Sequence, residues 1–109
     1  MRSKIYEGSV IPFNVSLSKM GQFSMSQYDF EIYYYCSTSK LVKVEKTDAF
    51  KENDDNYIFF VDTRLTGLGQ LRFAIKAIIP DDRLEGAQRP DIIELDSGCD
   101  VVKSIIPKI

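Results

Sequence analysis

DTRLTGLGQLRFAIKAIIPDDRLEG, residues 62–86, decides the fold: a glycine turn, a long alternating run and an abrupt Pro-Asp stop follow one another within it. Thr66-Gly67-Leu68-Gly69 supplies residues that tolerate positive φ, so the chain can turn sharply into a new strand. From Gln70 onward, Leu71, Phe73, Ile75, Ala77 and Ile79 alternate with Gln70, Arg72, Ala74, Lys76 and Ile78. A period of two gives a strand with one buried face. This is the longest such run in the chain, and it is expected to be the central strand. Pro80, which has no N–H to donate, and then Asp81-Asp82 should end its pairing.

Working outward, shorter runs of the same kind flank it. Val10 to Leu17 alternates Ile11, Phe13, Val15 and Leu17 with Pro12, Asn14 and Ser16, and Pro12 places this strand at a sheet edge. Ser18 to Gln27 reads as a serine-rich loop carrying Met20, Phe23 and Met25. Tyr28 to Tyr35 puts Tyr28, Phe30, Ile32 and Tyr34 on one face and Asp29, Glu31, Tyr33 and Tyr35 on a wet one. Leu41 to Lys46 is a short strand with the lysines of a protected edge. Lys51 to Asn56 reads as a polar loop and Tyr57 to Asp62 as a buried strand. Asp91–Leu95 and Cys99–Ile105, separated by Asp96-Ser97-Gly98, are expected to close the chain as a hairpin. About seven short strands with regular turn signals predict an all-β fold, a single antiparallel immunoglobulin-like sandwich spanning residues 1–109.

Composition bounds what such a domain can do. A chain of 109 residues buries about two-thirds of the surface its unfolded form exposes, so it needs no staple. The net charge of -2, with basic residues scattered, argues against nucleic acid as a partner. The amino-terminal MRSKIYEGSVIPF has no apolar core of a signal peptide and no segment is apolar enough to span a membrane, so synthesis in the cytoplasm without a signal is expected. Cys36 and Cys99 read as reduced, apolar side chains; a disulfide between them would require adjacent backbones.

Candidate chemistry is thin. The sequence has no histidine, which removes the commonest general base and the commonest zinc ligand. Cys36 therefore lacks a partner for nucleophilic attack. Carboxylates such as Asp54-Asp55, Asp62, Asp81-Asp82 and Asp96 lack calcium-loop spacing and read as solvated loops and turn caps. Gly67-x-Gly69 leads into a strand rather than a helix, so no phosphate site is expected. No catalytic residue, cofactor or metal is predicted. Tyr33, Tyr35 and Phe23 could stack on a sugar ring or a partner protein, or simply cover a second sheet.

Beyond residue types, Val61-Asp62-Thr63, Gly67-Leu68-Gly69-Gln70-Leu71, Ile79-Pro80-Asp81-Asp82 with Gly86 and Arg89, and Asp96-Ser97-Gly98 form an ordered series. Together with Phe13-x-Val15-x-Leu17, this series resembles the amino-terminal module of phage baseplate upper proteins and tail-fibre proteins, as in prophage-like proteins of gut Bacteroides. In that family a D-T…G-x-G-x-L turn and strand, an I-P-D…G…R loop and a final D-T-G hairpin recur; Ser97 stands here in place of the Thr. The resemblance covers roughly the second half of the chain and the early strand. It implies an immunoglobulin-like sandwich that attaches a receptor-binding or fibre part to a tail structure. Family members continue into a fibre, and a chain read as stopping at Ile109 implies a separate adaptor or a vestigial prophage product.

The expected function is thus a non-enzymatic assembly module of a phage or prophage tail, located in the particle once assembled, with protein partners that include tail components or itself. Ile105, Ile106 and Ile109 form an apolar tail that either docks on another chain or continues the last strand over its own core. The alternative from a different class is a carbohydrate-binding sandwich using the exposed aromatic residues.

Overall fold

A computed structural model describes residues 2–16 and 25–106. Eight strands form two sheets: β1 (Ser3–Tyr6), β2 (Val10–Ser16), β3 (Asp29–Tyr35), β4 (Val42–Glu45), β5 (Phe50–Asn53), β6 (Asn56–Asp62), β7 (Gly69–Pro80) and β8 (Gln88–Val102). One sheet has the order β1-β8-β7-β3-β4 and the other β2-β6-β5. All pairs are antiparallel except β1 with β8. This is the expected all-β immunoglobulin-like sandwich, with the first strand attached beside the last. No helix among the described residues is long and apolar enough to cross a membrane.

β7 is the central strand of the larger sheet, flanked by β3 and β8. Its alternate residues Leu71, Phe73, Ile75, Ala77 and Ile79 are all buried. They meet Val15, Tyr57, Phe59 and Val61 of the smaller sheet in one core. Aromatic rings knit the layers: Phe73 stands edge-on to Phe13 at 5.0 Å and to Phe59 at 5.3 Å. Phe30 meets Tyr57 edge-on, also at 5.0 Å. Such geometry aligns ring edges with the negative faces of their neighbours and adds about 0.5–1.5 kcal/mol per pair beyond area burial.

Three readings of the sequence need correction. The anticipated closing hairpin is a single strand: both Asp91–Leu95 and Cys99–Val102 belong to β8, and both halves run beside the same β7. Between Arg72↔Asp96 and Gln70↔Asp100, Ser97, Gly98 and Cys99 stand opposite Leu71 alone, so Asp96-Ser97-Gly98 is a bulge rather than a turn. Gly98 supplies its positive φ of 77°, and the Ser97 hydroxyl donates to the Leu71 carbonyl at 2.7 Å. Pro80, opposite Gln88, is the last residue of β7, so the strand stops before Asp81-Asp82 as expected. β1 escaped notice because its four residues bury only Ile5, and part of the supposed Lys51–Asn56 loop is β5, whose side chains are all exposed. Other boundaries shift by a residue or so: β2 is an edge strand as expected, β3 starts after Tyr28, and β4 keeps Lys43 on its edge. Leu17, Met20 and Phe23 lie outside the described residues.

Phe73→Ala is expected to cost about 3–5 kcal/mol by opening the junction between the sheets. Phe50→Ala, which removes an exposed ring touching only Phe60 among the aromatics, should cost less than about 1.5 kcal/mol. Urea denaturation of the two variants measures both; equal losses would contradict this placement of the core.

Candidate protein interface

The outer face of the five-stranded sheet carries the side chains that alternate with the core. Cross-strand neighbours there are Tyr33 with Lys43 and Ala74, and Ala74 with Glu94. Ala74 is small, and a depression of about 270 Å³ opens over it, walled by Tyr33, Tyr35, Leu41 and Ile92. Tyr33 is half-buried and donates its hydroxyl to Glu31 at 3.2 Å. Glu31 also pairs with Lys43 at 2.7 Å, and Lys43 first, then Tyr33, hold its carboxyl below the usual range. Tyr35 is not the exposed ring that its place on the wet face suggested: it is 6% exposed. Its hydroxyl reaches diagonally over β7 to Glu94 at 3.5 Å, and a ring this buried offers little surface for stacking. Phe23 and Ile109 lie outside the described residues.

A second concavity opens at the end of the sandwich where the chain leaves β8. It encloses about 840 Å³ between the β1–β2 crossing (Tyr6 to Val10), Arg64 and the segment Lys103 to Ile106. Tyr6 and Val10 are exposed, Ile105 fully so, and Ile106 is 70% exposed. Thus Ile105 and Ile106 do not continue β8 over their own core.

The wall of this groove is set by the Asp62-Thr63-Arg64 run. Thr63 is fully buried; its hydroxyl donates to the Ser9 carbonyl at 2.8 Å and accepts the Gly8 N–H at 2.9 Å, while its own N–H also reaches Ser9. One side chain therefore satisfies the backbone where the chain crosses from the first sheet to the second. Asp62 accepts both the backbone N–H and the guanidinium of Arg64, which holds its carboxyl below the usual range. Asp81 repeats the arrangement with Arg83 in the β7–β8 loop. Asp96 receives Arg2 at 2.6 Å and the Gly98 N–H at 3.0 Å; these hold its carboxyl at about 2 and fasten β1 to β8. The turn-cap reading holds for Asp62 and Asp81, while Asp96 caps the bulge inside β8.

No group of three or more potential metal ligands forms among the described residues. Cys36 and Cys99 are free thiols, and burial pushes the Cys36 thiol up, opposite to what an attacking thiolate needs. Lys46 folds its amino group onto the Tyr28 and Ser26 carbonyls and lies over the Phe30 ring; burial lowers its pKa. That amino group is thereby engaged within the fold.

No protein-family model and no curated protein matches the chain in sequence. Among solved structures, it is similar to a Bacteroides vulgatus protein provisionally assigned as a glycoside hydrolase, with a TM-score of 0.48 and 10% identity. That similarity covers 94% of this chain and 17% of the other, and no activity is carried across it.

Leu41, Ile92, Tyr6 and Val10 were not foreseen as surface-forming residues. Single exposed apolar side chains leave no mark in a sequence, and only the fold brings Leu41 beside Ile92 and Tyr6 beside Val10.

Two outcomes follow. Thr63→Val keeps the shape but orphans buried backbone groups, and should cost about 1–3 kcal/mol in thermal or urea denaturation; no loss would contradict the anchoring role. For Asp96, a folded pKa below the unfolded one means its stabilisation is present above about pH 4 and disappears as pH falls through about 2. Arg2→Ala should raise the Asp96 midpoint in an NMR titration, and an unchanged midpoint would refute the pairing.

Proposed function

We propose that this chain is a non-enzymatic assembly module that joins protein components. Following its resemblance to baseplate upper proteins, we assign those components to a phage or prophage tail, where the module attaches a receptor-binding or fibre part. The observation that carries the assembly reading is the groove at the end of the sandwich, with Ile105 and Ile106 held in water at its mouth. Burying each isoleucine against a partner would contribute about 1.5–3 kcal/mol. Apolar side chains beside a concave, partly apolar wall suit a protein surface better than a small polar ligand.

The tail-protein motifs support this reading through what they build. Thr63 pins the crossing that lines the groove, and Asp96-Ser97-Gly98 forms the bulge that lets β8 follow β7 along its whole length. Carbohydrate binding, the alternative, required a platform of three rings. With Tyr35 lying under its neighbours, Tyr33 is the one described ring of that set left to face solvent on the depression.

Affinity capture with the full chain against tail and baseplate products encoded beside its gene tests the proposal. One such product should be retained, and Ile105→Asp with Ile106→Asp should weaken retention more than about tenfold. Retention of none of them, together with glycan binding lost in Tyr33→Ala, would overturn it in favour of the carbohydrate reading.

A further inference from the structure

β8 is hydrogen-bonded along one side only for most of its length. β7 accompanies it from Gln88 to Val101, but β1 covers its other side only from Cys99 to Val102. The stretch Gln88 to Asp96 therefore has a free edge among the described residues. Which backbone groups point outward follows from two observations. The Asp81 N–H bonds to the Ala87 carbonyl at 2.8 Å, which fixes the odd-numbered positions of this ladder as its hydrogen-bonded pairs. Pro80 and Pro90, which have no N–H, occupy even positions, where none is needed toward the partner strand. Pro90, Ile92 and Glu94 accordingly turn their carbonyls, and the latter two their N–H groups, to the open side. Past the bulge the Val102 carbonyl points the same way and accepts from Glu7 at 2.9 Å, in agreement with that phase.

We infer that this edge pairs with the same edge of a second copy, antiparallel about a twofold axis at Ile92, to join the two larger sheets. This deepens the assembly reading and rests on it, by naming one partner as the chain itself. The register follows from length and charge. Centred on Ile92, the free edge from Gln88 to Asp96 pairs with itself end to end, and the bulge and β1 begin just beyond. Ile92 meets Ile92 of the other copy and exchanges backbone hydrogen bonds with it. Glu94 donates to the Pro90 carbonyl across the axis, and Gln88 faces Asp96. Registers centred on Asp91 or Glu94 would oppose like charges, which is destabilising. Ile92, 65% exposed at the rim of the outer depression, gains the cover it lacks.

The remaining edges are less suited. β1, β4 and β5 have four residues each, with lysines, and β5 is further interrupted by a register shift. β2 is seven residues long and carries Pro12 in the outward phase. Short, charged or proline-bearing edges are the usual guards against strand addition. On β8 the guards are Pro90, of which the proposed register uses only the carbonyl, and the charged Arg89, Asp91, Glu94 and Asp96, which that register sets opposite Leu95, Ile93, Pro90 and Gln88 of the other copy rather than against like charges.

Sedimentation equilibrium of the full chain over a wide concentration range tests the proposal. The wild-type chain should dimerise. Ile92→Pro removes an outward N–H while leaving the bonds to β7 in place, and should weaken dimerisation by more than about tenfold. Ile92→Lys provides an independent variant with the same expected loss, and Leu84→Lys in the exposed β7–β8 loop should leave the dimer unchanged. Circular dichroism confirms that each variant is folded. A wild-type monomer at every concentration, or a dimer indifferent to both Ile92 changes, would overturn the pairing. Either result leaves the capture of tail components as a separate question, so the two failures are distinguishable.

Discussion

The constraint on which the structure depends is the length of β7. Twelve consecutive residues with every second side chain buried place a long backbone in the middle of a sheet, where its N–H and C=O groups cannot reach water. Each must be paired on one side or the other. β3 serves one side, and the other requires a strand as long as β7 itself. β8 fulfils that demand by absorbing extra residues at Ser97-Gly98 rather than turning back. The same strand then receives β1 alongside its last residues, which brings the start of the chain into the larger sheet.

From that placement the remaining architecture follows. Having left β1, the chain must cross to the smaller sheet within Glu7 to Ser9, and the crossing is stabilised by Thr63 from the end of β6. The groove beside it is thus a by-product of changing sheets. On the buried side, Phe73 of β7 touches both Phe13 of β2 and Phe59 of β6, so the central strand also sets the position of the opposing sheet. On the outer side its small Ala74 leaves the depression between Tyr33 and Ile92.

Much of this was legible in the sequence, for identifiable reasons. β7 showed itself because five buried and five outward positions alternate without a break, and β2, β3 and β6 did so in shorter form. The edge position of β2 was announced by Pro12. β1 and β5 were hidden because a strand that buries one side chain, or none, has no period to detect. Asp96-Ser97-Gly98 was misread because an Asx turn with a positive-φ glycine is equally at home in a hairpin and in a bulge. Only the partner decides between them, and β7 was too long for a five-residue companion. Tyr35 was placed on the correct face, but face alone does not fix exposure: it is buried there, with its hydroxyl near Glu94. The isoleucines at 105 and 106 could either extend β8 or leave it, and nothing local distinguished those outcomes. Among the turn residues picked out in the sequence, Thr63 holds the crossing between the sheets and Ser97-Gly98 the bulge.

β8 is one strand, bonded to β7 on one side and, among the described residues, open on the other between Gln88 and Asp96. Residue-resolved amide hydrogen exchange, at a concentration low enough to keep the chain monomeric, tests it most directly. Asp91, Ile93 and Leu95 should exchange slowly, while Ile92 and Glu94 exchange fast, in strict alternation. Uniform protection through these residues, or fast exchange at Ile93, would contradict the account.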